Sequence, residues 1–183
     1  MKWKDAQTKR ILMFSSPDFL KRIEEEDSSM LTHMDILKKI NMAGYLTIQS
    51  QGGHKSNGKS YEIHERAYIE GFMLEKDAEE FIKNLGIYTD KVGVYIPYSL
   101  DIKLPSSLDV PLTIQKKNNN WEVVTHTSIA LPKNVWDMYR KEVGLNKNDK
   151  IVLILCWDTK WNRNASSVNG LFTDVLKILK KLI

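Results

Sequence analysis

The stretch that most constrains the fold runs from Ile40 to Phe72, INMAGYLTIQSQGGHKSNGKSYEIHERAYIEGF. A helical stripe of Leu31, Met34, Leu37 and Ile40 runs into Gly44, a natural helix stop because glycine takes up the left-handed conformation freely. Tyr45, Leu46 and Ile48 then read as a short strand, Gly52 to Ser60 as a polar, glycine-rich loop, and Tyr61 to Phe72 as a longer strand. The two strands, Gly44 to Gln51 and Tyr61 to Phe72, are expected to be neighbours in one sheet. A second stripe, Ala78, Phe81, Ile82 and Leu85, predicts a helix over Glu75 to Leu85 that packs back on them. Glu65 falls on the face of Tyr61, Ile63, Ala67 and Ile69, where an acid is costly unless paired. It is therefore either a salt-bridged structural residue or part of a site.

The flanking chain adds elements of both kinds. Arg10 to Phe14 is a short apolar run, expected to be a strand or the lip of one. Ser16, Pro17 and Asp18 supply a helix start, with the serine as cap and the proline at the first helical position. Glu24 to Asp27 is its solvated end, and the next helix is expected from Ser28–Thr32 to Met42. Val92 to Ile96 reads as a strand ended by Pro97, and Asp101 to Pro111 as a connection. Val110 to Ile114 and Trp121 to Ala130 read as strands joined by a polar tip, Lys116 to Asn120. A helix over Pro132 to Val143, a fully buried strand over Ile151 to Trp157 and a C-terminal helix complete the chain. That last helix has Leu171, Phe172, Val175, Leu176 and Leu179 inward. With no repeat and no internal linker, residues 1–183 are expected to form a single α+β domain, a mixed or antiparallel sheet with about five helices packed on it.

Composition narrows the class of partner. Lys and Arg outnumber Asp and Glu by 27 to 23, a mild excess spread along the chain that permits an acidic partner without demanding one. Lys116 and Lys117 beside Trp121 read as a solvated tip, which argues against nucleic acid. The single cysteine, Cys156, sits in an apolar run and is expected to be a buried small hydrophobe. No internal disulfide can form, no stretch approaches the ~20 apolar residues of a membrane span, and the N-terminus lacks a signal-type run. The expectation is a cytoplasmic protein away from the membrane, with a small-molecule ligand or a protein as partner. Oligomeric state is left open.

No nucleophile elbow, zinc spacing or dinucleotide fingerprint is present. Gly53 to Ser60 has the spacing of a phosphate loop, G-x-x-x-x-G-K-S, which makes a nucleotide-binding enzyme one alternative. Such a loop must open a helix, however, and the next residues here are the strand-like Tyr61-Glu-Ile-His-Glu. His33, His54, His64 and His126 lack metal-site spacing, and His54 is the functional candidate among them. Composition alone favours a tight hairpin with a soluble tip, and a small polar ligand at the loop is the other reading. Thr47, Ser50 and Gln51 bring hydroxyls and an amide to the mouth of a glycine loop, with His54 just beyond.

Asn41 and Gly44-Tyr45-Leu46-Thr47-Ile48-Gln49-Ser50-Gln51, then Glu65-Arg66-Ala67-Tyr68-Ile69-Glu70 and Phe72, carry a resemblance. They resemble the N-x-x-G-(aliphatic)-L-T-I-N-S-Q and Q-K-A-Y-L-E-F-F segments of the C-terminal regulatory domain of eukaryotic methylenetetrahydrofolate reductase. The likeness is clearest over residues 31–98. It implies a domain that binds S-adenosylmethionine as an allosteric effector, with Thr47 and Ser50 lining the pocket; if a ligand is bound, Gln51 and His54 are expected at its mouth. An acidic residue of the family's preceding helix falls near Ser29 here, the family's S-Q-P is Ser50-Gln51-Gly52, and the loop beyond is shorter. The sequence contains neither the catalytic barrel nor a flavin site. The expected protein is thus a non-catalytic ligand-binding or interaction module. The further alternative is a structural or assembly protein that keeps the fold without the ligand. Side chains alternate along a strand, so Thr47 and Ser50 meet one ligand only if the strand ends or twists by Ser50.

Overall fold

The computed structural model describes residues 3–97, 109–126, 137, 138, 140–142, 144, 145 and 149–182. Among these the chain forms five α-helices and a curled antiparallel sheet of seven strands, a single-domain α+β fold.

The first element corrects an expectation: Arg10 to Phe14 is not a strand but the end of α1, Trp3–Met13, and the turn residue that follows it. Its inward positions recur four apart, at Ala6, Arg10 and Phe14, all buried. The central one is an arginine, so no apolar stripe is visible. Ser16 caps α2 (Pro17–Asp27), its hydroxyl accepting from the Phe19 N–H at 3.3 Å. The helix expected from Ser28 onward is two pieces, a 3-10 turn (Ser28–His33) and α3 (Met34–Met42). The Asp27 carboxylate, accepting from the Ser29 N–H at 3.1 Å, caps the start of the 3-10 turn and parts it from α2, and the turn passes into α3 at His33–Met34. Gly44 ends the run at φ +103°.

The strands are β1 (Leu46–Gln51), β2 (Lys55–Asn57), β3 (Tyr61–Leu74), β4 (Lys91–Pro97), β5 (Pro111–Lys117), β6 (Asn120–His126) and β7 (Ile151–Trp161). α4 (Glu75–Tyr88) and α5 (Leu171–Leu182) complete the set. The sheet order is β4-β7-β3-β5-β6, with β1 and β2 also paired to β3. The 14-residue β3 therefore serves four partners: Tyr68 to Phe72 lie between β1 and β7, and Glu62 to His64 between β2 and β5.

The glycine loop is where the structure departs furthest from expectation. Gly52 to Ser60 is not an open loop, because β2 lies within it and pairs Ser56 with Ile63. Glu65 donates its N–H to His54 O at 3.0 Å and accepts from the Asn162 N–H at 2.6 Å. Both polar groups of one strand residue face the same edge, so β2 runs on the β7 edge of β3 while β1 runs on the β5 edge. The chain crosses β3 between them, at Gly52-Gly53. A Cβ on Gly53 (φ +69°) would stand 2.6 Å from Arg163 O and 2.7 Å from Ala67 N, and one on Gly52 2.3 Å from His33 Nε2. These glycines admit protein backbone and a histidine, not a ligand. The phosphate-loop spacing is likewise the end of a hairpin: Gly58 N–H donates to Tyr61 O, and the next element is a strand. Gly53→Ala is expected to lose about 1–3 kcal/mol of stability through overpacking against backbone that cannot yield. Gly86→Ala, exposed within α4 with nothing within 4 Å of the added atom, should gain about 0.5–1 kcal/mol. Urea titration of both variants checks the pair.

Asn118 and Asn119, at φ +51° and +64°, make the two-residue turn between β5 and β6, so Lys116, Lys117 and Asn120 belong to paired strands rather than to the tip. The expected connection over residues 101–108 and the end of the strand beyond His126 lie outside the described residues, as does most of the expected helix from Pro132 to Val143. β7 is buried on both faces, which explains its continuous apolar run. Val152, Ile154 and Cys156 face the helices with Ile69, Met73, Phe81 and Phe172. Leu153, Leu155 and Trp157 face the opposite core with Leu46, Phe72 and Leu112. No described helix is long and apolar enough to cross a membrane.

Candidate functional site

Asn41, at the last turn of α3, is fully buried and holds the start of β1. Its carbonyl oxygen accepts from the Thr47 N–H at 3.0 Å, and its amide donates to Thr47 Oγ1 at 2.8 Å and to Leu37 O at 2.7 Å. Thr47 is therefore a structural residue first. Its oxygen already accepts a bond, which leaves its own proton to donate elsewhere.

One residue later the strand bulges. Thr47 stands opposite Gly71 and Gln49 opposite Glu70, so Ile48 is an extra residue in β1. The bulge shifts the alternation by one, and Thr47 and Ser50 line the same cavity of about 390 Å3 between β1, α1 and α2. The twist that strand geometry required is supplied by the bulge at Ile48.

Arg10 braces this bulge. Its guanidinium donates to Ile48 O at 3.0 Å and to Glu142 Oε1 at 3.1 Å, and stands 5.2 Å from the centre of the Phe14 ring. Burial lowers its pKa, with Glu142 opposing. Phe14 meets Phe19 edge to face at 5.4 Å, and Arg22 lies over Phe19 at 5.2 Å. The cavity thus joins two hydroxyls from β1, two phenyl rings, two guanidinium groups and the carboxylates of Glu26 and Glu142. Of these, only Thr47 and Ser50 were visible in the sequence. The spacing of Ala6, Arg10 and Phe14 is the signal that could have brought in α1.

Gln51 and His54 are not at this cavity. Gln51 donates to Arg66 O at 3.1 Å and to Thr113 Oγ1 at 3.3 Å, tying β1 to β5. His54 lies beyond the crossing, with its Nδ1 at 2.6 Å from Glu65 Oε2. The Glu65 carboxyl is raised by burial, with His54 opposing and Asp27 reinforcing the shift. The acid on the apolar face is thereby paired.

Gln51 instead lines a second cavity, of about 190 Å3, with Gln49, Tyr68, Glu70, Leu112, Thr125, His126 and Leu155. Tyr68 and Gln49 border both cavities, their Oη and Oε1 atoms 3.4 Å apart. Glu70 is 8% exposed, and its Oε1 is buried with no hydrogen-bond partner among the described residues. Burial alone pushes its carboxyl up to about 7.

A third polar assembly sits across the sheet. The Lys91 ammonium is wholly buried against Asp90, 3.2 Å from Asp174 and 3.7 Å from Asp158, and Arg163 pairs with Asp90 at 2.6 Å and Asp158 at 3.3 Å. This network ties β4, β7, the loop after it and α5 together beneath an open cleft of about 810 Å3 rimmed by Lys160, Lys177 and Lys181. Among the described residues no group of three or more His, Cys, Asp or Glu side chains is placed to hold a metal ion. No protein-family model matches this chain, and no curated protein matches its sequence.

Proposed function

We propose that this chain is a non-catalytic cytoplasmic module that binds S-adenosylmethionine, or a close nucleoside relative, between β1, α1 and α2, as the resemblance to the reductase regulatory domain implies. The observation that carries the reading is the bulge at Ile48, which puts Thr47 and Ser50 on one face of β1, where both border one cavity. The rest of the lining suits such a ligand. Phe14 and Phe19 offer faces for an adenine ring, Arg22 a partner for a carboxylate, and Glu26 and Glu142 acidic partners for an ammonium or sulfonium. At about 390 Å3 the space falls within the range of about 300–1,000 Å3 usual for small-molecule sites.

Calorimetric and thermal-shift titrations with S-adenosylmethionine, S-adenosylhomocysteine and ATP test it. Adenosylmethionine should stabilise the chain by about 2.7 kcal/mol at a hundredfold excess over Kd. Ser50→Ala should weaken binding by about 0.5–1.5 kcal/mol with an unchanged melting temperature. Thr47→Val is the less clean probe, since losing the Asn41 bond lowers stability as well. A response to ATP alone would sink the reading. No response to any of the three would favour an assembly module, for which one feature speaks: β6 ends the sheet, exposed on both faces, with Trp121, Val123 and Val124 half in solvent.

A further inference from the structure

A carboxylate buried without a partner is costly, and a fold keeps one where something else satisfies it. Glu70 is in that position. Its strand neighbours across the ladder are Gln49 on β1 and Leu155 on β7, neither a cation. The lining of the second cavity contributes two glutamine amides, the Tyr68 phenol, the Thr125 hydroxyl and the His126 ring, against an apolar wall of Leu112 and Leu155. Its titratable members besides Glu70 are Tyr68 and His126, and His126 Nδ1 is already 2.9 Å from Asp109. The Tyr45 phenol, which feels the Glu70 charge, spends its proton between Ile69 O and Ile154 O.

We infer that the Glu70 cavity is a binding site for a small organic cation carrying N–H donors, a primary alkylammonium in the first instance. The lining is rich in oxygen acceptors around one carboxylate, and an ammonium group places its three donors among them while its alkyl part meets Leu112 and Leu155. At about 190 Å3 the space lies below that of ordinary nucleoside-sized sites and admits only a few heavy atoms. A divalent metal is the poorer fit, because one carboxylate with neutral amides falls short of its ligand demand. The site shares Gln49 and Tyr68 with the larger cavity, but its reading does not depend on adenosylmethionine binding there. It predicts a pH dependence of known sign: the bound form needs the Glu70 carboxylate, so acidification releases the ligand.

The test is an NMR titration of the full chain with ethylammonium chloride at pH 8 and pH 6, with tetramethylammonium chloride as the cation without N–H donors. Ethylammonium should shift the backbone amides of Gln49, Gln51 and Glu70 saturably, about tenfold more weakly at pH 6 than at pH 8, because the ionised fraction of a group titrating near 7 falls by about that factor. Tetramethylammonium should leave them unmoved. Glu70→Gln, whose folding the same spectra report, should lose the ethylammonium shifts. Equal affinity at the two pH values, equal response to tetramethylammonium, retained binding in Glu70→Gln, or no saturable shift at all would each overturn the assignment.

Discussion

Lys91→Met is expected to lose about 3–5 kcal/mol of folding stability, the range for removing one partner of a buried ion pair. Lys91 is the cation on which the carboxylates of Asp90, Asp158 and Asp174 converge, and its ammonium is inaccessible to water. Methionine fills the same space but leaves Asp158, itself wholly buried, with Arg163 as its remaining cation. Burial already raises the Asp158 carboxyl above its ordinary range, with Lys91 and Arg163 opposing. Without Lys91 that group should take up a proton closer to neutrality. The double variant Lys91→Met, Asp158→Asn should recover much of the loss, since it removes both charges together. Chemical denaturation at pH 7 measures both. A single-variant loss below about 1 kcal/mol would mean that the network behaves as a solvated surface pair.

Glu70→Gln is expected to act in the opposite direction and to stabilise the fold at high pH. The native carboxyl titrates near 7 against an ordinary value of 4.5, so the folded state binds the extra proton between those values. Stability of the parent is then fullest below about pH 4.5, falls as pH rises through 7, and is flat above it. The difference of about 2.5 pH units corresponds to about 3 kcal/mol, and glutamine, which carries no charge, avoids it. The variant should thus exceed the parent by up to about 3 kcal/mol at pH 8 and match it near pH 4.5. Urea titrations across that range check the sign as well as the size. A parent whose stability does not fall between pH 5 and pH 8 would show that Glu70 is paired or hydrated in solution.

Periodicity was enough to read the elements that bury one apolar stripe. The inward faces of α3, α4 and α5, the doubly buried β7, the Ser16-Pro17 helix start and the pairing of Gly44–Gln51 with the strand after it all come from residues close in sequence. Thr47 and Ser50 were legible as candidates, but not the means that puts them on one face of β1. The bulge at Ile48 is seen only when β1 is laid against β3 and Arg10 is found holding the displaced carbonyl. α1 was missed because its inward face carries a guanidinium where a stripe would need an apolar residue. β2 was missed because its three polar residues form a strand only through the partner they meet.

The sequence by itself determined the local conformations and which faces had to leave water, because side-chain periodicity, caps and left-handed glycines act over a few residues. The tertiary structure alone decided what those faces enclose. Glu70 stands on the polar-looking face of β3, and only β1, β5 and β7 closing over it make that face an interior. Asp90, Lys91, Asp158, Arg163 and Asp174 form one network because three distant segments meet there. The strength of a charge pair depends on separation and on exclusion of water, and neither is set by distance along the chain.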